Sequence, residues 1–325
     1  MKYILALIAV LFAPAQAAYQ PEEICVIPWG DSINQLKIAQ PWYNESETGH
    51  QYLVPGGGPN QGFVDMNNIL HFGSRTPGYF KAFDAYGNTI INYDPKEPNY
   101  NDSLFGDSVG RFYVDSLSYI YFESGSPRPY ISVADISGNL IRILNPCGDD
   151  TGVNVDLIGF NSNDVLSLDC WNGNYYTYSH GSFSEGGISA RKATDGYYYY
   201  AEMQNSLKIK FYRFSTATLR GGYDGLDTSI ARFTANADGF EFIGMDDFSQ
   251  IYLLTITNIT GEYYNNYGMQ VYSNKFELID EFEFESTTKN KYMWYEPKPF
   301  VRRDGNIYEF RCLDDGLHVI RWSKK

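Results

Sequence analysis

The sequence predicts an all-β fold, a six-bladed β-propeller with four-stranded blades. Three observations predict it: a strand-and-turn composition, one phrase of strand, polar turn and strand that recurs along the chain, and two chain ends that complete each other. Of 325 residues, 29 are Tyr, 21 Phe and 30 Gly. Aromatic residues favour pleated, half-buried surfaces and Gly the reversals between them. No amphipathic helical pattern follows the first residues.

The chain opens with Lys2, an apolar run from Ile4 to Phe12, and the small-residue triplet Ala15-Gln16-Ala17. This is the form of a secretory signal peptide cut after Ala17. The run is well short of the roughly 20 apolar residues that span a bilayer, and no later stretch is long enough. No Cys stands at the cut to accept a lipid. The reading is a leader over 1–17 and one propeller domain over 18–325, secreted or periplasmic, monomeric, with no membrane span.

The recurrent phrase begins at Val64-Asp65-Met66-Asn67-Asn68-Ile69-Leu70 and returns at Val114 to Ile120, Phe160 to Leu166 and Met245 to Ile251. Weaker copies run from Lys192 to Tyr197 and from Val301 to Ile307. Asp, Asn, Ser and Gly supply the tight reversal, and the apolar positions after it give the next strand. The interval after Asn161 is short, so the third blade should have a compressed outer strand near 181–185.

A second hairpin follows each phrase, clearest from Tyr79 to Ile91 and from Tyr130 to Ile141, with looser versions from Phe211 to Leu219 and from Val271 to Ile279. Six units of two hairpins are the pattern of propeller blades. The run Phe80-Lys81-Ala82-Phe83-Asp84-Ala85-Tyr86-Gly87-Asn88 resembles the hairpins of six-bladed propellers of the NHL-like and TolB-like kind. That resemblance lies in the repeat pattern over nearly the whole mature chain. It implies the fold and carries no functional motif.

The last unit has strands at Phe300 to Cys312 and Leu317 to Trp322, and then the chain stops one strand short. Near the other end, Ile24 to Trp29 is a strand with no partner of its own. Placed as the outer strand of the last blade, it closes the ring and removes an open edge; Pro28 suits an outermost strand.

Four cysteines in an exported chain favour disulfides over metal or thiol chemistry. Cys147 and Cys170 fall on one propeller face in neighbouring blades and form the favoured pair. The remainder, Cys25 with Cys312, would staple the closure, although the strand directions strain that geometry.

One propeller face carries the connections between blades and the loops joining second to third strands, which are the long segments here. Function rides on long loops held by a rigid scaffold. Arg75 and Arg128 occupy equivalent loops and suit an anion. Trp171, Tyr263 and Trp294 offer platforms for sugar rings or extended peptide, although a Tyr-rich chain also uses such residues to pack its own loops. His71 and His180 are placed near strand ends beside that face.

None of His50, His71, His180 and His318 stands in a hydrolase or metalloprotease motif. Glu281, Glu283 and Glu285 alternate along one solvated strand face. Asp65, Asp115 and Asp246 should ring one mouth of the channel, where turn capping explains them more cheaply than a cation does. No metal or cofactor is called for. A formal charge of -14 disfavours nucleic acid and anionic membrane. The expectation is a non-catalytic exported propeller binding a glycan, peptide or protein partner on the long-loop face. The alternatives are a carbohydrate-active hydrolase or lyase and an envelope docking scaffold.

Overall fold

The computed structural model describes residues 19–38, 42–45, 51–54, 57–74, 78–93, 109–124, 130–145, 155–160, 166–170, 174–179, 182–185, 191–192, 197–205, 208–214, 227–232, 239–258, 265–284 and 297–325. The first strand is β1 (Tyr19–Pro28), and β2 (Trp42–Glu45) pairs with β3 (Gln51–Val54) as a separate ribbon.

Four-stranded sheets follow. The first holds β4 (Gln61–Val64), β5 (Leu70–Ser74), β6 (Tyr79–Phe83) and β7 (Thr89–Tyr93). The second holds β8 (Val109–Val114), β9 (Ile120–Ser124), β10 (Ile131–Ala134) and β11 (Leu140–Leu144). In the third are β12 (Val155–Phe160), β13 (Leu166–Cys170), β14 (Asn174–Ser179) and β15 (Ser182–Glu185), the short outer strand expected there. The fourth has β16 (Arg191–Lys192), β17 (Tyr198–Asn205), β18 (Lys208–Phe214) and β19 (Asp227–Arg232). The fifth has β20 (Gly239–Met245), β21 (Ile251–Asn258), β22 (Asn265–Tyr272) and β23 (Leu278–Glu283). The last combines β24 (Phe300–Val301), β25 (Ile307–Leu313) and β26 (Gly316–Lys324) with β1.

Together these sheets form an all-β propeller. Each is an antiparallel meander, and the first strands of neighbouring sheets touch one another, β24 with β4, β4 with β8, β8 with β12 and β20 with β24. First strands therefore sit inside and fourth strands outside. One hairpin is longer than its sequence suggested. The partner of β18 is β19, which begins at Asp227, beyond the Leu219 limit read from the sequence.

Burial follows this layering. Every residue of β5 and β6 is buried, because a middle strand is packed on both faces, which erases the period of two. The outer strand β23 exposes Leu278, Ile279, Glu281 and Glu283, so its glutamates are solvated as expected.

Apolar layers fill the spaces between sheets. Phe80 sits edge-on to Phe112 (5.0 Å between centroids) and to Phe122 (4.8 Å), joining the first sheet to the second. Such pairs add about 0.5–1.5 kcal/mol each beyond the area they bury. Phe72, Tyr79, Phe310 and Leu317 form the layer between first and last sheets, and Tyr252, Met269, Ile307 and Trp322 that between fifth and last.

β1 runs antiparallel to β26 from Tyr19 opposite Lys324 to Pro28 opposite Gly316, with one irregularity between Glu23 and Cys25. The first strand of the chain thus completes the sheet made by its last three. Residues beyond it strap onto the first sheet. Trp29 bridges to Leu36, and the ammonium of Lys81, itself buried, donates to the carbonyls of Ser32 (3.3 Å), Ile33 (3.3 Å) and Gln35 (2.6 Å).

The Cys25–Cys312 cross-link is not formed: both are free thiols. β26 lies between their strands, so they are about 10 Å apart across the sheet, beyond the reach of a disulfide. Burial, with Asp84 and Glu23 nearby, pushes the Cys25 thiol up. Cys147 and the side chain of Cys170 lie outside the described residues.

Candidate functional site

The recurrent phrase is one turn built repeatedly. In each copy whose turn is among the described residues the first residue accepts the amide of the fourth and donates its own amide to the carbonyl of the fifth, as Asp65 does with Asn68 (3.1 Å) and Ile69 (3.0 Å). The fourth residue takes a left-handed conformation: Asn68, Ser118 and Ser249 with φ of 61°, 63° and 60°, Gly305 in the last copy, and Gly87, Gly138 and Phe276 in outer turns. Small polar residues and Gly tolerate this region best, which explains why the phrase ends as it does.

The first residue caps the turn. Oδ1 of Asp65 accepts the amides of Asn67 (2.8 Å) and Ile69 (2.9 Å), and Asp84, Asp115, Asp135 and Asp246 repeat the pair. In the last sheet Arg302 takes the first position, and Asp304 caps the Asn306 amide instead (3.1 Å).

In the inner turns the second carboxylate oxygen is used as well. Oδ2 of Asp65 meets His71 Nε2 at 3.3 Å, while those of Asp115 and Asp246 accept the hydroxyls of Tyr121 (3.1 Å) and Tyr252 (2.8 Å). These three partners stand at the same position, second in the following strand. Tyr308 occupies that position in the last sheet, with Arg302 over its ring at 5.3 Å.

Neighbouring turns are bonded to one another. Arg303 Nε donates to Asp247 Oδ1 (3.2 Å), tying fifth to last sheet. Arg302 donates to the Asp65 carbonyl (3.0 Å) and Asn68 Oδ1 (2.7 Å), tying last to first. Asn67 Nδ2 donates to Ser118 Oγ (2.7 Å), which donates to Asp65 Oδ2 (3.0 Å), tying first to second. Tyr19 shares a hydrogen bond with Tyr252 (2.9 Å) and donates to the Gly305 carbonyl (3.2 Å).

The electrostatics separate otherwise equivalent carboxylates. Burial pushes the Asp65 carboxyl up, but its bonds to His71, the Ile69 amide and Ser118 outweigh this and leave it below the usual range. Burial wins at Asp246, whose carboxyl lies above it despite Gln250 and Tyr252. Tyr252, buried against Tyr19 and Asp246, is raised well above the ordinary tyrosine value. Both oxygens of each inner aspartate are thus engaged in holding strands and turns. Among the described residues no group of three or more His, Cys, Asp or Glu is placed to hold a metal ion.

His71 does not stand beside the long-loop face. It is the second residue of β5, which starts at the tight turn, so its ring lies at the opposite end of the strand, fully buried between Phe63 and Phe80. Arg75, Arg128, Trp171, His180, Tyr263 and Trp294 lie outside the described residues. Sequence reasoning missed the bond from each inner Asp to the strand that follows it, whose signal was His or Tyr standing six places on, and it missed the bonding between turns, which had no such signal.

No family model matches the sequence, and no curated protein matches it. Solved structures that the chain is similar to include a streptogramin B lyase, at 11% identity over 96% of this chain and 100% of that one, with a TM-score of 0.43. A catalytically inactive virginiamycin B lyase from Staphylococcus aureus with quinupristin is similar at 11% identity, 90% and 100% coverage and a TM-score of 0.45. A member of the DUF4221 family from Bacteroides vulgatus gives 11%, 95% and 100%, with a TM-score of 0.47.

Proposed function

We propose that the protein is an exported, non-catalytic, six-bladed propeller that binds a glycan, peptide or protein partner on its long-loop face. Each four-stranded sheet is read as one blade, with β1 closing the ring. The observation that carries the reading is the use of the opposite face. There the inner Asp, Arg and His side chains are spent on capping turns and joining sheets, which makes that face a scaffold. A rigid scaffold of this kind leaves recognition to the long loops. Arg75, Arg128, Trp171, His180, Tyr263 and Trp294 are the residues proposed to do it.

Export rests on the leader pattern at 1–17, and a cut after Ala17 would leave strand β1 whole. Tyr19, two residues past Ala17, already pairs with Lys324, and its amide donates to Asp280 Oδ2 (3.1 Å). Amino-terminal sequencing of protein recovered outside the cytoplasm should start at Ala18. Cys147 with Cys170 is the proposed disulfide; in denatured, unreduced protein an alkylating reagent should label Cys25 and Cys312 alone.

Binding is tested by a glycan array and polysaccharide pull-down on the mature protein, with reducing-end release followed in the same wells. Retention without release, lost in Trp171→Ala or Trp294→Ala, is the expected outcome. Release of sugar ends would replace the reading with that of a hydrolase or lyase.

A further inference from the structure

Tyr19 opens β1 at a corner where two sheets meet by their rims. β1 is the outermost strand of the last sheet and β23 the outermost of the fifth. Between them the Tyr19 amide donates to Asp280 Oδ2 (3.1 Å), while Oδ1 of the same carboxylate accepts the Glu281 amide (2.9 Å). Asp280 is half-buried and Tyr19 buried, with the Tyr19 ring 5.6 Å from that of Phe282 on β23.

Carboxylates crowd this corner. Burial raises the Tyr19 phenol above its ordinary value, and Asp246, Asp280 and Asp304 push it further in the same direction. Asp304 is matched by Arg302. Asp246 and Asp280 are both set against Lys324, whose ammonium lies over the Tyr19 ring at 5.3 Å and donates to Gln250. Two carboxylates thus share that ammonium.

A cut after Ala17 brings a second cation to them. Hydrolysis of the Ala17–Ala18 bond adds water, leaves a carboxylate on Ala17 and turns the neutral amide nitrogen of Ala18 into an ammonium, ordinarily charged below about pH 7.7–8.0. That nitrogen is one peptide unit from the Tyr19 amide, so covalent geometry holds the two within about 4 Å of each other. The Tyr19 amide is already on Asp280. The new charge therefore arises within reach of a half-buried carboxylate on the neighbouring sheet, where opposite charges favour each other's ionised form.

We infer that leader removal does more than release the chain: the Ala18 ammonium it creates pairs with Asp280 and pins β1, the strand that completes the last sheet, against the fifth. This rests on the cut after Ala17 proposed above. A chain that keeps its leader has a neutral amide at this point, and its β1 opens more readily at Tyr19.

The test compares the protein beginning at Ala18 with one that keeps Ala15-Gln16-Ala17 ahead of it, which carries the ammonium up to about 10 Å along the chain. Amide hydrogen exchange is followed in β1, with β25 of the same sheet as the internal reference that both forms are folded. Near neutral pH the extended form should exchange its β1 amides about two- to fivefold faster, the range of a part-exposed ion pair, and the difference should shrink as salt rises. Asp280→Asn keeps an acceptor for the Tyr19 amide but removes the charge, so in that background the two forms should exchange alike. Equal exchange in the two forms of the native sequence, or a difference that persists in Asp280→Asn, would overturn the inference. Amino-terminal sequencing reads the cut and exchange reads its consequence, so the two proposals can fail separately.

Discussion

Arg302 donates to the backbone carbonyl of Asp65 at 3.0 Å across 237 residues of sequence. The same guanidinium reaches Asn68 Oδ1 and is forked on Asp304. One side chain therefore joins the inner turn of the first sheet to the inner turn of the last.

Replacing Arg302, itself buried, with Ala removes that joint and leaves the Asp65 carbonyl without its donor, while Asn68 and Asp304 turn to solvent. A loss of about 2–4 kcal/mol is expected, read as a lower urea midpoint. Arg302→Lys should recover only part of it, because an ammonium cannot serve Asp65, Asn68 and Asp304 in one fixed plane.

Gly87 and Gly138 form a controlled pair. Both end the same outer turn with φ near +80° (81° and 83°), yet a Cβ at Gly87 would meet only Cys25 Sγ at 3.6 Å, whereas one at Gly138 would lie 1.2 Å from the Tyr93 hydroxyl. Gly87→Ala should cost about 1 kcal/mol for the left-handed backbone alone. Gly138→Ala should cost about 2–4 kcal/mol, since the buried Tyr93 must also move. Equal losses in thermal unfolding would contradict the contact.

These turns also explain what the sequence could and could not disclose. Asp65, Asp115 and Asp246 announce themselves because one residue type recurs at one place, and a repeated capped turn is local chemistry. The exchange of Arg302 for Asp in the last copy was visible but not interpretable, since its use lies in a neighbouring sheet. His71 was misplaced because the direction of β5 decides which end of the strand faces the long loops. The thiols of Cys25 and Cys312 depend on lateral strand order, which composition does not encode.

The strap after β1 gives a prediction about order in the native state. Lys81 is buried and holds the carbonyls of Ser32, Ile33 and Gln35, while the Thr89 hydroxyl donates to the Ile33 carbonyl at 2.8 Å. Lys81→Met keeps the stem and removes the donors. Residues 30–37 should exchange amide hydrogens faster and be cut sooner by protease, while β5 and β6 stay protected. A loss of about 1–3 kcal/mol should accompany this. Unchanged exchange in the strap would mean that Leu36 packing and the Thr89 bonds retain it without the Lys81 ammonium.

The pairing of β1 with β26 should be pH-sensitive, through His318 on β26. Its Nδ1 lies 2.7 Å from Glu23 Oε2 on β1 and its Nε2 2.9 Å from Asp315 Oδ1. Burial alone would lower its pKa, but the two carboxylates outweigh burial and raise it above the usual value. The same contact draws Asp315 below its usual range. For a histidine raised in the folded state, the stabilisation is complete below the unfolded value of about 6.5 and is lost as pH rises through the folded one. For Asp315 it is present above about 3.9 and fades as pH falls through its lowered value. The hold of β1 on β26 at this point should therefore be strongest in mildly acidic solution and relax from neutral pH upward. Unfolding midpoints measured between about pH 5 and pH 8 should fall more steeply in the native protein than in His318→Gln, which cannot take up the proton. Parallel slopes in the two proteins would remove His318 as the cause.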